Sequence, residues 1–187
     1  MIADRSKGSP GAWLRAGVTC LTVFALASCA GGPSQELKTV EHVDLERFMG
    51  DWYVVANIPT FIEKGAHNAV ESYKIDEDGS IATTFTFRKD GFDGELKTYN
   101  PRGFVEDRQS NAVWGMRFVW PVKADYRIIW LDEAYSQTVI GRNKRDYVWI
   151  MARKPTIADA DYRRIIEFLD AQGYDTTRIR KVPQRWE

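Results

Sequence analysis

The sequence is poor in the residues on which much catalytic and metal chemistry depends. Of 187 residues, only two are cysteine, Cys20 and Cys29, and two histidine, His42 and His67. Both cysteines lie near the N-terminus, so the rest of the chain has no disulfide and no thiolate metal site, which excludes zinc clusters and cysteine nucleophiles from the folded body. No Gly-x-Ser-x-Gly occurs, and the histidines fall in segments read as lying outside strands, without an evident acid partner. Neither an enzyme, a metal centre nor a cofactor is expected. Charge of one sign is also missing: 26 basic residues balance 26 acidic ones, which is no footprint for nucleic acid. What is abundant is apolar and aromatic material, 44% and 13% with seven tryptophans, enough for one domain and rich enough to line a cavity.

The first part of the chain reads as an address. Arg5, Lys7 and Arg15 precede an uncharged apolar run from Ala16 to Ser28, the layout of a secretory signal and shorter than the about twenty residues of a permanent membrane span. Leu26-Ala27-Ser28-Cys29 resembles the lipobox of bacterial lipoproteins. That resemblance implies acylation of Cys29, cleavage before it and, with Ala30 following, an outer-membrane anchor facing the periplasm. The alternatives are an incidental thiol after an ordinary signal peptide, or an uncleaved anchor. On this reading residues 1–28 are a lipoprotein signal peptide, 29–42 a lipidated flexible tether, and 43–187 the folded domain.

From Gly50 to Arg153 the sequence alternates with the period of two that marks strands. Eight strands are expected, over about 51–57, 69–76, 80–88, 95–106, 112–119, 125–132, 136–142 and 147–153. Turns such as Glu77-Asp78-Gly79 and Lys89-Asp90-Gly91 link them into an antiparallel up-and-down meander. The inward stripes are Ile81, Thr83, Phe85 and Phe87; Trp114, Met116, Phe118 and Trp120; Tyr126, Ile128 and Trp130; and Tyr147, Trp149, Met151 and Arg153. Ile129, Leu131, Val148 and Ile150 are apolar on the opposite face and need a cover. Tyr162, Ile165, Ile166 and Leu169 recur at helical spacing between Asp159 and Gln172 and supply it, with Thr156 or Asp159 as cap and Gly173 after the end. The fold class is therefore all-β, an eight-stranded barrel with one C-terminal helix packed outside. A membrane-spanning barrel fits less well, because Arg88, Arg117 and Arg127 oppose the aromatic stripes.

Three short motifs now add a family. Gly50-Asp51-Trp52-Tyr53, Asp132-Glu133-Ala134-Tyr135 and the strand-ending Arg153 occur in the order and spacing of the lipocalin signatures, although Leu131 stands where Thr is frequent. Phe61-Ile62-Glu63-Lys64-Gly65 and Arg145-Asp146-Tyr147-Val148-Trp149-Ile150 resemble the bacterial outer-membrane lipoprotein lipocalins and apolipoprotein D. The resemblance covers about Val43 to the C-terminus. It implies that the Arg153 guanidinium lies over the Trp52 indole and closes the barrel floor. It further implies a fatty acid or lysophospholipid ligand, a role in lipid storage or transport for envelope maintenance, and a homodimer; the alternatives are a lipocalin-fold enzyme acting on a hydrophobic substrate and a filled-barrel structural lipoprotein.

Tyr73, Phe85, Phe87, Met116, Phe118, Tyr126, Ile128, Trp130, Tyr147 and Trp149 are the expected cavity wall. The same residues would serve a filled barrel, since eight strands enclose either a packed interior or room for one small ligand. Glu71 breaks the inward pattern of Ala69, Tyr73 and Ile75, either as a headgroup partner or as a water-exposed strand end. Lys123, Arg142, Lys144 and Arg145 are loop cations, able to attract a phosphate or simply solvated.

Overall fold

The computed structural model describes residues 36–186. The expected signal peptide and the acylation site Cys29 fall outside that range. A short helix, α1 (Leu45–Phe48), leads into β1 (Gly50–Ile58), β2 (Ala66–Ile75), β3 (Ile81–Lys89), β4 (Leu96–Tyr99), β5 (Arg102–Val105), β6 (Val113–Val119), β7 (Val122–Leu131), β8 (Gln137–Gly141) and β9 (Val148–Ala152). After these come α2 (Asp159–Ala171), a 3-10 turn (Thr176–Arg178) and the two-residue β10 (Arg180–Lys181). All pairings are antiparallel between neighbours, and β1 pairs with β9, so the sheet closes on itself. The fourth expected strand is split at Asn100-Pro101 into β4 and β5, both paired to β3, as expected where proline removes a ladder donor. The result is a closed barrel of eight staves, with β10 added beside β1.

The barrel is shut at the end where β1 begins. Gly50 enters with φ +91°, a conformation costly for a side chain, and a Cβ there would sit 3.4 Å from the Arg153 guanidinium. That guanidinium lies 3.8 Å over the Trp52 ring. It donates to the carbonyls of Arg47, Phe48, Met49 and Asp51 at 2.7–3.0 Å. Asp44 caps α1 through the Arg47 N–H and gives its own N–H to the Tyr135 hydroxyl. Asp132 holds the β7–β8 turn by accepting from the N–H groups of Ser136 and Gln137, at 2.7 Å each. Tyr135 takes φ +56° in that turn, and Arg47 covers its ring at 4.0 Å. The residues of all three motifs thus meet at one end.

Two apolar clusters divide the side chains. The inner one fills the barrel's lower half with Phe48, Trp52, Tyr73, Trp114 and Ile128. The outer one joins Val55, Ile129, Val139, Val148 and Ile150 to Ile165 and Leu169 of α2, both at most 1% exposed; burying each such side chain is worth about 1.5–3 kcal/mol. Neither Thr156 nor Asp159 caps α2, because Ala158 occupies the cap position without a side-chain bond. Asp159 and Asp161 in the first turn suit the helix dipole instead. Gly173 (φ +83°) ends the helix, and the Tyr174 N–H reaches back to the Leu169 carbonyl.

The inward and outward assignments differ from expectation where β7 bulges. A register shift between Ile128 and Trp130 turns the strand's parity. Trp130 consequently joins the outer cluster, 5.9 Å from the Arg164 guanidinium, while Leu131 packs inward. Trp120, expected inside, is 79% exposed in the β6–β7 turn. His67, expected outside the strands, lies in β2 with its Nδ1 against the Gly65 carbonyl. The segment 36–42, expected within a flexible tether, packs on the barrel. Leu37 is 1% exposed, and Val40 donates its N–H to the Ile128 carbonyl.

Replacing Arg153 by Ala removes the lid over Trp52 and leaves several carbonyls without their donor. We expect urea unfolding to show a loss of about 3 kcal/mol. A change below about 0.5 kcal/mol would show that the closure carries no stability.

Candidate functional site

Above the aromatic floor the barrel is hollow. The cavity has a volume of about 450 Å³, within the range of small-ligand sites. Strand direction sets its depth. β1 rises from the closed end while β2 descends to it, so Tyr126, Glu71 and Thr83 lie low, whereas Phe61, Ile62, Phe118 and Val119 stand at the mouth.

Of the ten expected wall residues, Phe85, Met116, Phe118, Tyr126 and Trp149 line the hollow. Tyr73, Phe87 and Ile128 are buried beside or below it and fill space instead. Phe87 stacks on Tyr99 at 6.1 Å, and Tyr73 meets Trp114 edge-on at 5.8 Å. Trp130 and Tyr147 pack with the outer cluster and do not reach the hollow. Tyr147, which lies before β9 begins, has the Arg142 guanidinium 5.3 Å over its ring. Phe118 lines the mouth yet is 54% exposed, because β6 and β7 shift register beyond Met116 and carry their tip past the rim.

The loop after β1 folds over the opening through Glu63. This carboxylate is only 4% exposed. It accepts from the Thr60 N–H, the Asn57 amide and, at 2.6 Å, the Trp149 indole N–H. A buried charge held by several donors fixes the loop; the motif that contains Glu63 was legible, but this role had no sequence signal. Arg142 lines the rim, bridges to Asp146 at 3.2 Å and keeps its Nε without a hydrogen-bond partner. Of the other expected loop cations, Lys123 lies instead in β7 and pairs with Glu106 at 3.2 Å, and Arg145 donates to the Gln172 and Asn143 carbonyls.

Glu71 lines the hollow. It accepts a hydrogen bond from the Tyr73 hydroxyl, which in turn lies 2.8 Å from that of Tyr126. Burial pushes its carboxyl up to about 7, opposed by the Tyr73 hydrogen bond and assisted by the negative charge of Glu63. Burial likewise raises the Tyr73 and Tyr126 hydroxyls well above the usual phenol range.

The profile of the Lipocalin-like domain family matches residues 43–184. The chain is a lipocalin. It is 28% identical to temperature-induced lipocalin-1 of Arabidopsis thaliana, over 80% of this chain and 84% of that one. The outer membrane lipoprotein Blc of Vibrio cholerae is 26% identical over 92% of this lipocalin and all of its own length. Apolipoprotein D of Bos taurus is 27% identical, with 83% and 82% covered. Among solved structures, the cockroach allergen Per a 4 superposes with a TM-score of 0.62 at 17% identity, over 82% of this chain and 97% of its own, a likeness of fold. The resemblance to lipocalins drawn from three motifs therefore holds across the domain.

Because the folded carboxyl of Glu71 protonates more readily than its unfolded value of about 4.5, its contribution is fully present below that pH and is lost as pH rises through about 7. Relative to Glu71→Gln, the protein is expected to lose up to about 3 kcal/mol of stability between these limits. Urea unfolding of both proteins from pH 4.5 to 8 measures this, and a flat difference contradicts it.

Proposed function

We propose that this lipocalin is a membrane-anchored carrier that takes the acyl chain of a fatty acid or lysophospholipid out of water, for storage or transport in envelope maintenance. The observation that carries the reading is the one-ended hollow of about 450 Å³, walled by Phe85, Met116, Tyr126 and Trp149. Each methylene moved from water into such a wall gains about 0.8 kcal/mol before ordering costs. Micromolar binding follows for a chain of moderate length. A bulky charged headgroup stays at the mouth, where the Arg142 guanidinium can meet a phosphate.

Anchoring rests on Cys29 and its lipobox-like context, and several acyl chains at one residue hold a membrane firmly. The outer membrane is supported by the similarity to outer membrane lipoproteins of the Blc type, and the periplasmic face by the signal-like run that precedes Cys29. The mouth suits such a location. Phe61, Val119, Trp120 and Val122 are 69–81% exposed around it, an apolar rim that favours contact with a bilayer interface.

Titrating delipidated protein with palmitic acid or lysophospholipid, while following tryptophan fluorescence, is expected to give a saturable change. Ligand at a hundredfold over its dissociation constant should add about 2.7 kcal/mol of stability. Met116→Arg, which places a charge in the wall, should weaken binding at least about tenfold with unchanged far-UV dichroism. No saturation by either lipid would overturn the carrier reading.

A further inference from the structure

The inner end of the hollow is not apolar. Glu71 faces Trp52 across β1–β2 and Phe85 across β2–β3, which places it just above the barrel floor. Thr83, opposite Tyr73 in the next strand, lines the same end. Thr83 is 3% exposed, and its hydroxyl is buried without any hydrogen-bond partner. Tyr73 is the hydrogen-bond donor to Glu71 among the described residues, and none of the ion pairs there involves Glu71. Tyr126 completes the group, its hydroxyl 2.8 Å from that of Tyr73.

A methyl-terminated chain pushed to this depth would strand these groups against hydrocarbon, which polar atoms resist strongly. A fixed anion would meet the like charges of Glu71 and, from the loop above, Glu63. The site is complementary to a neutral group that both donates and accepts, since a protonated or ionised carboxyl and an unpaired hydroxyl can each be satisfied by one.

We infer that Glu71, Thr83 and Tyr126 form a polar subsite at the inner end of the hollow, which receives the hydroxyl-bearing end of a single-chain lipid, an alcohol or an undissociated carboxylic acid, inserted head first. The inference rests on the proposed lipid site and adds the orientation and chemical class of its occupant. Lysophospholipids, whose charged heads cannot reach the floor, then bind more weakly than single-chain alcohols of equal chain length.

Competition against a fluorescent fatty acid, using the full delipidated protein, tests this with dodecan-1-ol, its methyl ether and lauric acid. The ether keeps the chain and the acceptor but cannot donate. Wild type should prefer the alcohol by about tenfold, the upper end of the net worth of one hydrogen bond. The double variant Glu71→Leu, Thr83→Val should reduce that ratio to about twofold or less without weakening the ether. Glu71→Gln, which keeps a donor and an acceptor, should retain the preference. Lauric acid should bind less tightly as pH rises from 5 to 9, as both carboxyls ionise, while the alcohol changes far less. Equal binding of alcohol and ether by wild type, or undiminished preference in the double variant with native dichroism, would overturn the inference and leave the carrier reading standing. Failure of every ligand to displace the probe would overturn both.

Discussion

The barrel depends on one contact at its closed end, the Arg153 guanidinium stacked 3.8 Å over the Trp52 indole. An indole face attracts a cation, and a guanidinium has enough donors to stack and to hydrogen-bond in its plane at once. Here those donors reach four carbonyls on and after α1. The last strand is thereby tied to the beginning of the first. Because β1 and β9 also pair edge to edge, the sheet has neither an open edge there nor a leaking floor. A hollow at the other end is stable because this end is filled.

Filling and emptiness are apportioned by residue size along the strands. The lower interior holds Phe48, Trp52, Tyr73 and Trp114, whose rings meet at 5.0–5.8 Å. Higher up, Met116 and Ala124 leave space that the loop after β1 only partly covers. Glu63 holds that loop by hydrogen bonds instead of apolar packing. The outer wall needs α2 for a different reason, because β7, β8 and β9 carry apolar residues on both faces and would otherwise expose Ile129, Val139 and Ile150 to water.

Much of this was legible in the sequence because strand period and turn chemistry are local. The eight staves, the covering helix, and the inward positions of Phe85, Met116, Tyr126 and Trp149 follow from alternation and turn chemistry, while the closure by Trp52 and Arg153 came from the family resemblance. Trp130 escaped for a physical reason: a bulge adds a residue that composition does not mark, and every later position in the strand changes face. Trp120 continues the perfect alternation of Trp114, Met116 and Phe118, but by that point the hairpin tip has left the barrel wall. Phe87 and Ile128 point inward as expected, and only three-dimensional packing decides which inward side chains fill space and which border it. Glu71 broke the apolar pattern visibly, yet its burial depends on Trp52, Tyr73 and Tyr126 converging from three strands.

The central claim is that the hollow above the closed floor holds a single lipid molecule. Native mass spectrometry of the full protein, isolated gently from the cells that make it, measures this most directly. We predict a population heavier than the lipid-free protein by the mass of one single-chain lipid, released on denaturation and identifiable in the extract. A protein that is uniformly lipid-free as isolated, and that stays so after incubation with single-chain lipids, would contradict the account.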